Sequence, residues 1–332
     1  MEQQKLYRGL WVGLFLVGLF LILASIFIGQ YKVGASEIFE TLFDRSMEHP
    51  MTHSVLFDIR IPRILMAFLV GIGLSMAGST YQAVLMNPLA SPDVLGTSSA
   101  AAFGAASGIL LFPGSFVFTC LLSFFFGLVS IGMVFLITKM KRNREILTIV
   151  LSGMIVGSVF MALIAVIKYL ADTEETLPAI TFWLMGSFSS INMEQVFFAM
   201  PIFLLCFFIL HRLRWKLNIL SLGDEEAIVA GLQPAKLRIF LLAIASVIVS
   251  LSVTFAGVVG WVGLVIPHLS RTFVGYNNGR LVPISGLVGG VFLLLMDNLA
   301  RSVGYAEIPI GMLTALIGAP VFMLLFLKGE RS

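Results

Sequence analysis

Long stretches without a charged side chain recur along this chain, separated by short polar interruptions. The charge-free intervals run 9–31, 64–92, 94–138, 146–167, 195–211, 239–270, 281–296 and 308–327. A membrane-crossing helix needs about 20 predominantly apolar residues, so each interval predicts at least one crossing. Two are too long for one. Phe112-Pro113-Gly114-Ser115 supplies a turn inside 94–138, and the run GVVGWVG from Gly257 to Gly263 breaks 239–270. The prediction is an all-α integral membrane protein with ten transmembrane helices in a single domain covering 1–332. The helices are expected at about 9–29, 62–86, 92–111, 116–138, 146–168, 194–211, 236–257, 259–272, 281–301 and 308–327. Residues 176–193 are also uncharged but hold Pro178, Gly186 and a Ser/Asn cluster. They are expected as a short helix or re-entrant piece outside the bilayer core, because lipid-exposed irregular backbone is not tolerated.

Composition agrees with that count. Of 332 residues, 58% are hydrophobic and 12% charged, about half the charged share of soluble domains. A net charge of +3, with no long basic run, excludes nucleic acid as a partner. Cys120 and Cys206 lie in apolar surroundings with no metal-ligand spacing, so neither a metal site nor a disulfide framework is expected. Orientation follows from charge. With both termini cytoplasmic, Lys5, Arg8, Lys139, Lys141, Arg142, Arg144, Arg212, Arg214, Lys216, Lys236, Arg238, Arg271, Arg280, Lys328 and Arg331 fall inside. Lys32, Arg45, Arg60, Arg63, Lys168 and Arg301 fall outside, and 15 of the 21 cations inside satisfies the positive-inside rule. A weak internal echo accompanies the even count: Ala77-Gly78 followed by Pro88 recurs 179 residues later as Ala256-Gly257 followed by Pro267. Five helices repeated with inverted topology is a transporter architecture.

Four segments carry candidate chemistry. In MNPLASPDVLG (86–96), Asn87-Pro88 must end a helix, while Ser91-Pro92-Asp93 reads as a new start with a Ser cap, Pro in first position and an acid in the first turn. It is either an ordinary capped turn or a polar constriction at the cytoplasmic mouth of a pathway. Arg60 and Arg63, three apart in RIPR, share a face. Cations there oppose the macrodipole by about 0.3–1 kcal/mol each, so something should compensate them. With Arg301 at another outer helix end they suggest docking of an acidic external protein, or anchoring to lipid phosphate. The longest cytoplasmic loop contains SLGDEEAIVAGL (221–232), expected as a helix too short to span, resting on a partner or on the membrane surface. His268, between Pro267 and Arg271, is expected as a packed, hydrogen-bonded group. The chain lacks a phosphate-binding loop and any protease or esterase signature. Few acids lie deep in the expected spans, which disfavours an ion-coupled secondary transporter.

RIPR (60–63), NPLASPDVLG (87–96), SLGDEEAIVAGL (221–232), GWVGLVIPHLSR (260–271) and EIPIGMLTALIGAPVF (307–322) together resemble the FecCD family of ABC importer permeases. The resemblance covers essentially the whole chain. It implies the type II importer fold and a dimer with a second permease subunit, identical or paralogous. It also implies separate ABC ATPase subunits that use ATP and Mg, an extracytoplasmic substrate-binding protein, and a bacterial cytoplasmic membrane. By position it assigns binding-protein docking to Arg60, Arg63 and Arg301, and ATPase coupling to Leu222, Gly223, Asp224, Glu225, Ala227, Ala230, Gly231 and Leu232. A cytoplasmic gate is assigned to Asn87, Leu89 and Thr148. The chain departs from the family pattern at Ala77-Gly78, Gln82-Ala83 and Met86, where many members carry Ser-Gly, Gln-Gly and an Arg; the last change removes a charge near the gate. The implied mechanism is alternating access powered by the partner's nucleotide cycle, with no covalent chemistry and no cofactor on this chain. The implied cargo is a ferric siderophore, with haem or cobalamin as alternatives.

Overall fold

The computed structural model describes residues 2–43, 50–141, 146–303 and 307–329. Among them every regular element is helical. Arg45, Arg142, Arg144 and Arg331 of the charge count lie outside the described residues.

The first helix, α1 (Glu2–Phe27), is followed by α2 (Ala35–Phe43) and α3 (Pro50–Ser54), both within the expected outer loop. A π-helical turn, Val55–Arg60, joins α3 directly to α4 (Ile61–Val84). Pro62 explains it: proline brings no N–H to the helical ladder, and the neighbouring Ile61 N–H reaches back five residues to the Leu56 carbonyl, the π spacing. The helix expected at 62–86 thus extends outward as far as Pro50. It is also the centre of the molecule. α4 is buried along almost its whole length, polar Ser75, Ser79, Thr80 and Gln82 included.

Around α4 stand α5 (Thr97–Leu111), α6 (Phe116–Met140), α7 (Ile146–Leu170), α8 (Thr176–Met185), α9 (Met193–Leu220), α10 (Asp224–Val229), α11 (Pro234–Ala256), α12 (Val262–Val274), α13 (Asn278–Ser302) and α14 (Ile310–Gly329). α13, α11, α9 and α12 pack directly on α4. Among the described residues, six helices are long and apolar enough to cross a membrane: Tyr7–Phe27, Phe116–Met140, Ile146–Leu170, Met193–Leu220, Pro234–Ala256 and Asn278–Ser302. α5, α8, α12 and α14 are shorter apolar helices. Phe197, Phe198, Leu204, Leu205 and Phe208 on α9, and Val117, Leu121, Phe125 and Leu136 on α6, are exposed, as expected of surfaces facing hydrocarbon rather than water.

Three boundaries differ from expectation. The helix placed at 194–211 continues to Leu220, because nothing in HRLRWKLNIL stops it and α9 extends beyond its apolar stretch as a charged helix. The helix placed at 92–111 begins as a 3-10 turn, Pro92–Leu95, and becomes α-helical only at Thr97. The segment 221–232 is helical only over Asp224–Val229, with turns on either side. The uncharged 176–193 segment forms α8 followed by an irregular stretch that docks on other helix ends. There the Ser187 N–H donates to the Ala256 carbonyl (3.0 Å), and the Ile310 N–H to that of Gly186 (2.9 Å).

Candidate functional site

The end of α4 shows how MNPLASPDVLG is built. The Leu85 N–H donates to Tyr81 and the Asn87 N–H to Gln82, five residues back, a helix stop that requires a left-handed residue between. Met86 takes it, at φ +48°, a conformation that is uncommon outside glycine. The Asn87 side-chain oxygen then accepts from the Leu89 N–H at 2.9 Å, and the Ala90 N–H donates to the Asn87 carbonyl. Asn87 therefore shapes the turn with its own side chain. Asn87 and Leu89 are exposed, whereas Thr148, in the first turn of α7, is buried.

The following residues do not stay at the end of the bundle. Gly96 meets the backbone of Gly157, and Val94 and Leu95 meet Gly153. These positions lie seven to eleven residues into α7, or about 10–16 Å at ~1.5 Å per residue. On the opposite side the Pro92 ring lies against Gly263 at the start of α12, which itself meets Leu74 and Gly78 in the middle of α4. The chain thus re-enters the bundle, and Pro92–Leu95 sits inside it. Gly96 makes this possible: its φ is +69°, and a Cβ there would lie 2.6 Å from the Gly157 nitrogen. Ser91 does not cap the turn with its side chain. Its carbonyl accepts from Val94 instead, so the expected side-chain cap is replaced by backbone pairing.

Opposite this turn, α11 ends at Gly257 (φ +66°) and α12 starts after Trp261 (φ +69°). Two interrupted segments therefore meet within the bundle, and between them lies a cavity of about 20 Å³ bordered by Ser91, Asp93, Ser98, Ser252 and Trp261. That is room for about one water molecule. Asp93 borders this cavity and is itself exposed. By charge alone Asp93 only marks the edge of a span; the re-entrant path is what brings it beside α11 and α12. Tyr81 and Ser246 share a hydrogen bond joining α4 to α11. Trp261 packs on Gly318 and faces Phe322 of α14, and the His268 ring meets Phe322 edge-on at 5.8 Å. His268 is packed as expected, yet its Nδ1 has no hydrogen-bond partner among the described residues, so the hydrogen-bonded half of that expectation is not met there.

At the helix ends expected to face outward the three arginines are buried, each 3–4% exposed. Arg63 donates to Asp297 (2.8 Å) and Glu307 (2.6 Å), and Arg301 lies 3.4 Å from the second Asp297 oxygen. Arg301 also donates to the Ser25 carbonyl, while Asn298 donates to the Ser25 hydroxyl. Arg60 reaches the carbonyls of Ile26 and Tyr31. The compensation demanded by cations at the start of α4 is therefore internal, and the outward presentation expected of these side chains is replaced by a buried cluster joining α1, α4, α13 and the segment before α14. Arg63 is paired with buried Asp297 and with the partly exposed Glu307, both far away in sequence, and Arg301 lies beside the same Asp297: a buried guanidinium is stable only when paired and hydrogen-bonded.

At the opposite face, α10 is held by Asp224 pairing with buried Arg238 at 2.5 Å and by buried Ala227. Gly223 precedes it at φ +134°, and Gly231 turns the chain after Ala230 at φ +77°. Leu232 closes the turn, its N–H donating to the Ala227 carbonyl. Leu222, Ile228 and Val229 are 70%, 61% and 90% exposed, with Glu225 exposed beside them.

The FecCD transport family model matches residues 16–328. The molybdate import system permease protein MolB of Haemophilus influenzae is 41% identical, over 99% of this chain and 98% of its own length. The Fe(3+)-citrate import system permease protein YfmE of Bacillus subtilis is 36% identical over 91% of this chain and 89% of its own. A metal-chelate type ABC transporter solved in an inward-facing conformation superposes with a TM-score of 0.88 at 40% identity, covering 97% of this chain and 99% of that one.

Proposed function

The chain belongs to the FecCD transport family, and from this we propose that it is the membrane-spanning permease subunit of an ATP-driven importer. It is a multi-pass membrane protein; the bacterial cytoplasmic membrane and cytoplasmic termini are part of the proposal, supported by the charge asymmetry. So are ten crossings, by α1, α4, α5, α6, α7, α9, α11, α12, α13 and α14, and the inverted five-helix repeat. The shortness of α5 and α12 supports both, since each follows one of the two breaks that face each other, an arrangement transporters place at the repeat interface.

The observation that carries the reading is α10. A six-residue helix anchored by Asp224 and Ala227, presenting Leu222, Ile228 and Val229 to solvent beside acids, is a knob for a protein cleft. An apolar patch left bare beside acidic side chains is poorly suited to an anionic lipid surface. The proposed partner is an ABC ATPase whose nucleotide cycle moves α10, with a second permease subunit, identical or paralogous, completing the pathway. Nucleotide-driven motion shifts the population between outward- and inward-open states. The gate is proposed at the Asn87–Leu89 turn and at Thr148. An extracytoplasmic binding protein docks on the outer face. Arg60, Arg63 and Arg301 enter this part in altered form: buried and paired, they hold the outer helix ends in register beneath the contact surface.

The proposed cargo is a metal-containing anion. Molybdate is the first reading, supported by the full-length similarity to MolB; a ferric siderophore is the second, supported by the iron-citrate relative. Haem and cobalamin stand behind them. The test is uptake of radiolabelled molybdate, a panel of ferric siderophores, haem and cobalamin in cells with and without the gene. ATP is depleted in a parallel set while the proton gradient is held. One cargo lost with the gene and with ATP is the expected result. Uptake that persists without ATP and collapses with the gradient overturns the ABC reading in favour of a secondary transporter.

A further inference from the structure

A cavity of about 380 Å³ lies between α6 and α9, floored by α11. Its depth is apolar and aromatic: Phe124, Phe198 and Phe255 form the walls. Its rim, at the N-terminal end of α9, is polar. Asn192 and Gln195 exchange a reciprocal cap in which each side-chain oxygen accepts the other's backbone N–H, at 3.0 and 3.1 Å. Both amide oxygens are thereby committed, and the amide NH₂ groups of both residues have no partner among the described residues. Glu194, between them, is exposed and has no cationic partner among the described residues.

We propose that this groove is a phospholipid site selective for a primary-amine headgroup of the phosphatidylethanolamine type. An acyl chain fills the aromatic cleft between two membrane-crossing helices. The phosphate accepts from the Asn192 and Gln195 amides, and the ammonium pairs with the Glu194 carboxylate. Charge complementarity selects this occupant. A carboxylate flanked by two free N–H donors matches a headgroup that carries a cation beyond an anion, and it opposes a headgroup whose only charge is negative. A quaternary ammonium keeps the charge but offers no N–H, so phosphatidylcholine binds less well. The groove size falls in the range of ordinary ligand pockets.

The test is native mass spectrometry of the full chain, delipidated in detergent and offered equal amounts of phosphatidylethanolamine, phosphatidylcholine and phosphatidylglycerol. The expected result is retention of phosphatidylethanolamine several-fold above the other two. Glu194→Gln should lower retention of phosphatidylethanolamine several-fold, to the level of phosphatidylcholine, with the thermal unfolding midpoint unchanged as the check that the fold is kept. Phe198→Ser should lower retention of all three. Equal retention of the three lipids by the native chain, or an unchanged preference in Glu194→Gln, overturns the proposal. So does efficient cross-linking of Phe198→Cys to a second copy of the chain in membranes, which would mean that protein rather than lipid covers the groove.

Discussion

Asp297 is the residue on which the outer end of the molecule depends. It is fully buried and faces both Arg63 and Arg301. Removing one partner of a buried ion pair costs about 3–5 kcal/mol, because the other charge is left uncompensated. Asp297→Ala should therefore lower the unfolding midpoint in detergent markedly; a midpoint within error of the native chain would refute the burial argument. The same cluster changes how docking is probed. Reversing the arginines to glutamate would set acids against Asp297 and Glu307 and destroy the fold, so loss of uptake would say nothing about a binding protein. Gly96 is the second critical residue. Gly96→Ala forces a side chain into a left-handed position, at about 1–3 kcal/mol, and against Gly157. Uptake and thermal stability should both fall. Asp172, in the loop between α7 and α8, accepts N–H groups from Glu175 and its neighbours, which hold its carboxylate below the usual range. Its folded value being lowered, its contribution is present above the unfolded pKa and is lost as pH falls through the folded one. Protection of the Glu175 amide against exchange, relative to its intrinsic rate at each pH, should fall in acid, and Asp172→Ala should show the lowered protection already at neutral pH.

At the scale of elements, the short pieces do what the long ones cannot. α10 is anchored on one side and bare on the other. Ile228→Asp with Val229→Asp should leave membrane insertion and thermal stability unchanged, since exposed substitutions usually stay within about 0.5 kcal/mol. The ATPase should no longer copurify, and a doubly substituted chain that still retains it would sink the coupling assignment. The re-entrant turn was half legible in sequence. Asn87-Pro88 and Ser91-Pro92 announced a stop and a start, because proline chemistry is local. Nothing local said that the start would lie about 10–16 Å inside the bundle, a depth set by Gly153 and Gly157 on α7 and by Gly263 on α12. α10 was legible as a helix from its acidic first turn, but its ends were placed too wide because Gly223 and Gly231 take left-handed backbone that composition alone does not reveal.

For the whole molecule, the testable statement is topology. In a chain with Cys120 and Cys206 replaced by serine, a cysteine at Asn277, between α12 and α13, should react with an impermeant maleimide only after the inner face is exposed. One at Phe112, between α5 and α6, should react from outside. The opposite pattern would invert the orientation, and reaction of both from one side would contradict the number of crossings between them. The wrapping of α4 by α13, α11, α9 and α12 also bears on the mechanism. A central helix buried on all sides, seamed to its neighbours by glycine contacts such as Gly78 on Gly263, is suited to move with them as one body.

Charge-free length and proline punctuation settled that the chain is a helical membrane protein, where its main breaks fall and which loops carry the cations. Each of these depends on residues close together in sequence: a span must satisfy its own backbone hydrogen bonds, and a proline acts on its own turn. The tertiary structure decided the rest. It buried Arg63 by supplying Asp297 and Glu307 from more than 200 residues away, and Arg60 and Arg301 by bringing up the carbonyls of Ser25, Ile26 and Tyr31. It also carried Asp93 into the bundle and set the two helix breaks against each other. These outcomes depend on which distant surfaces meet, and a buried charge or an irregular turn inside a membrane is stable only when the meeting surface supplies its partner.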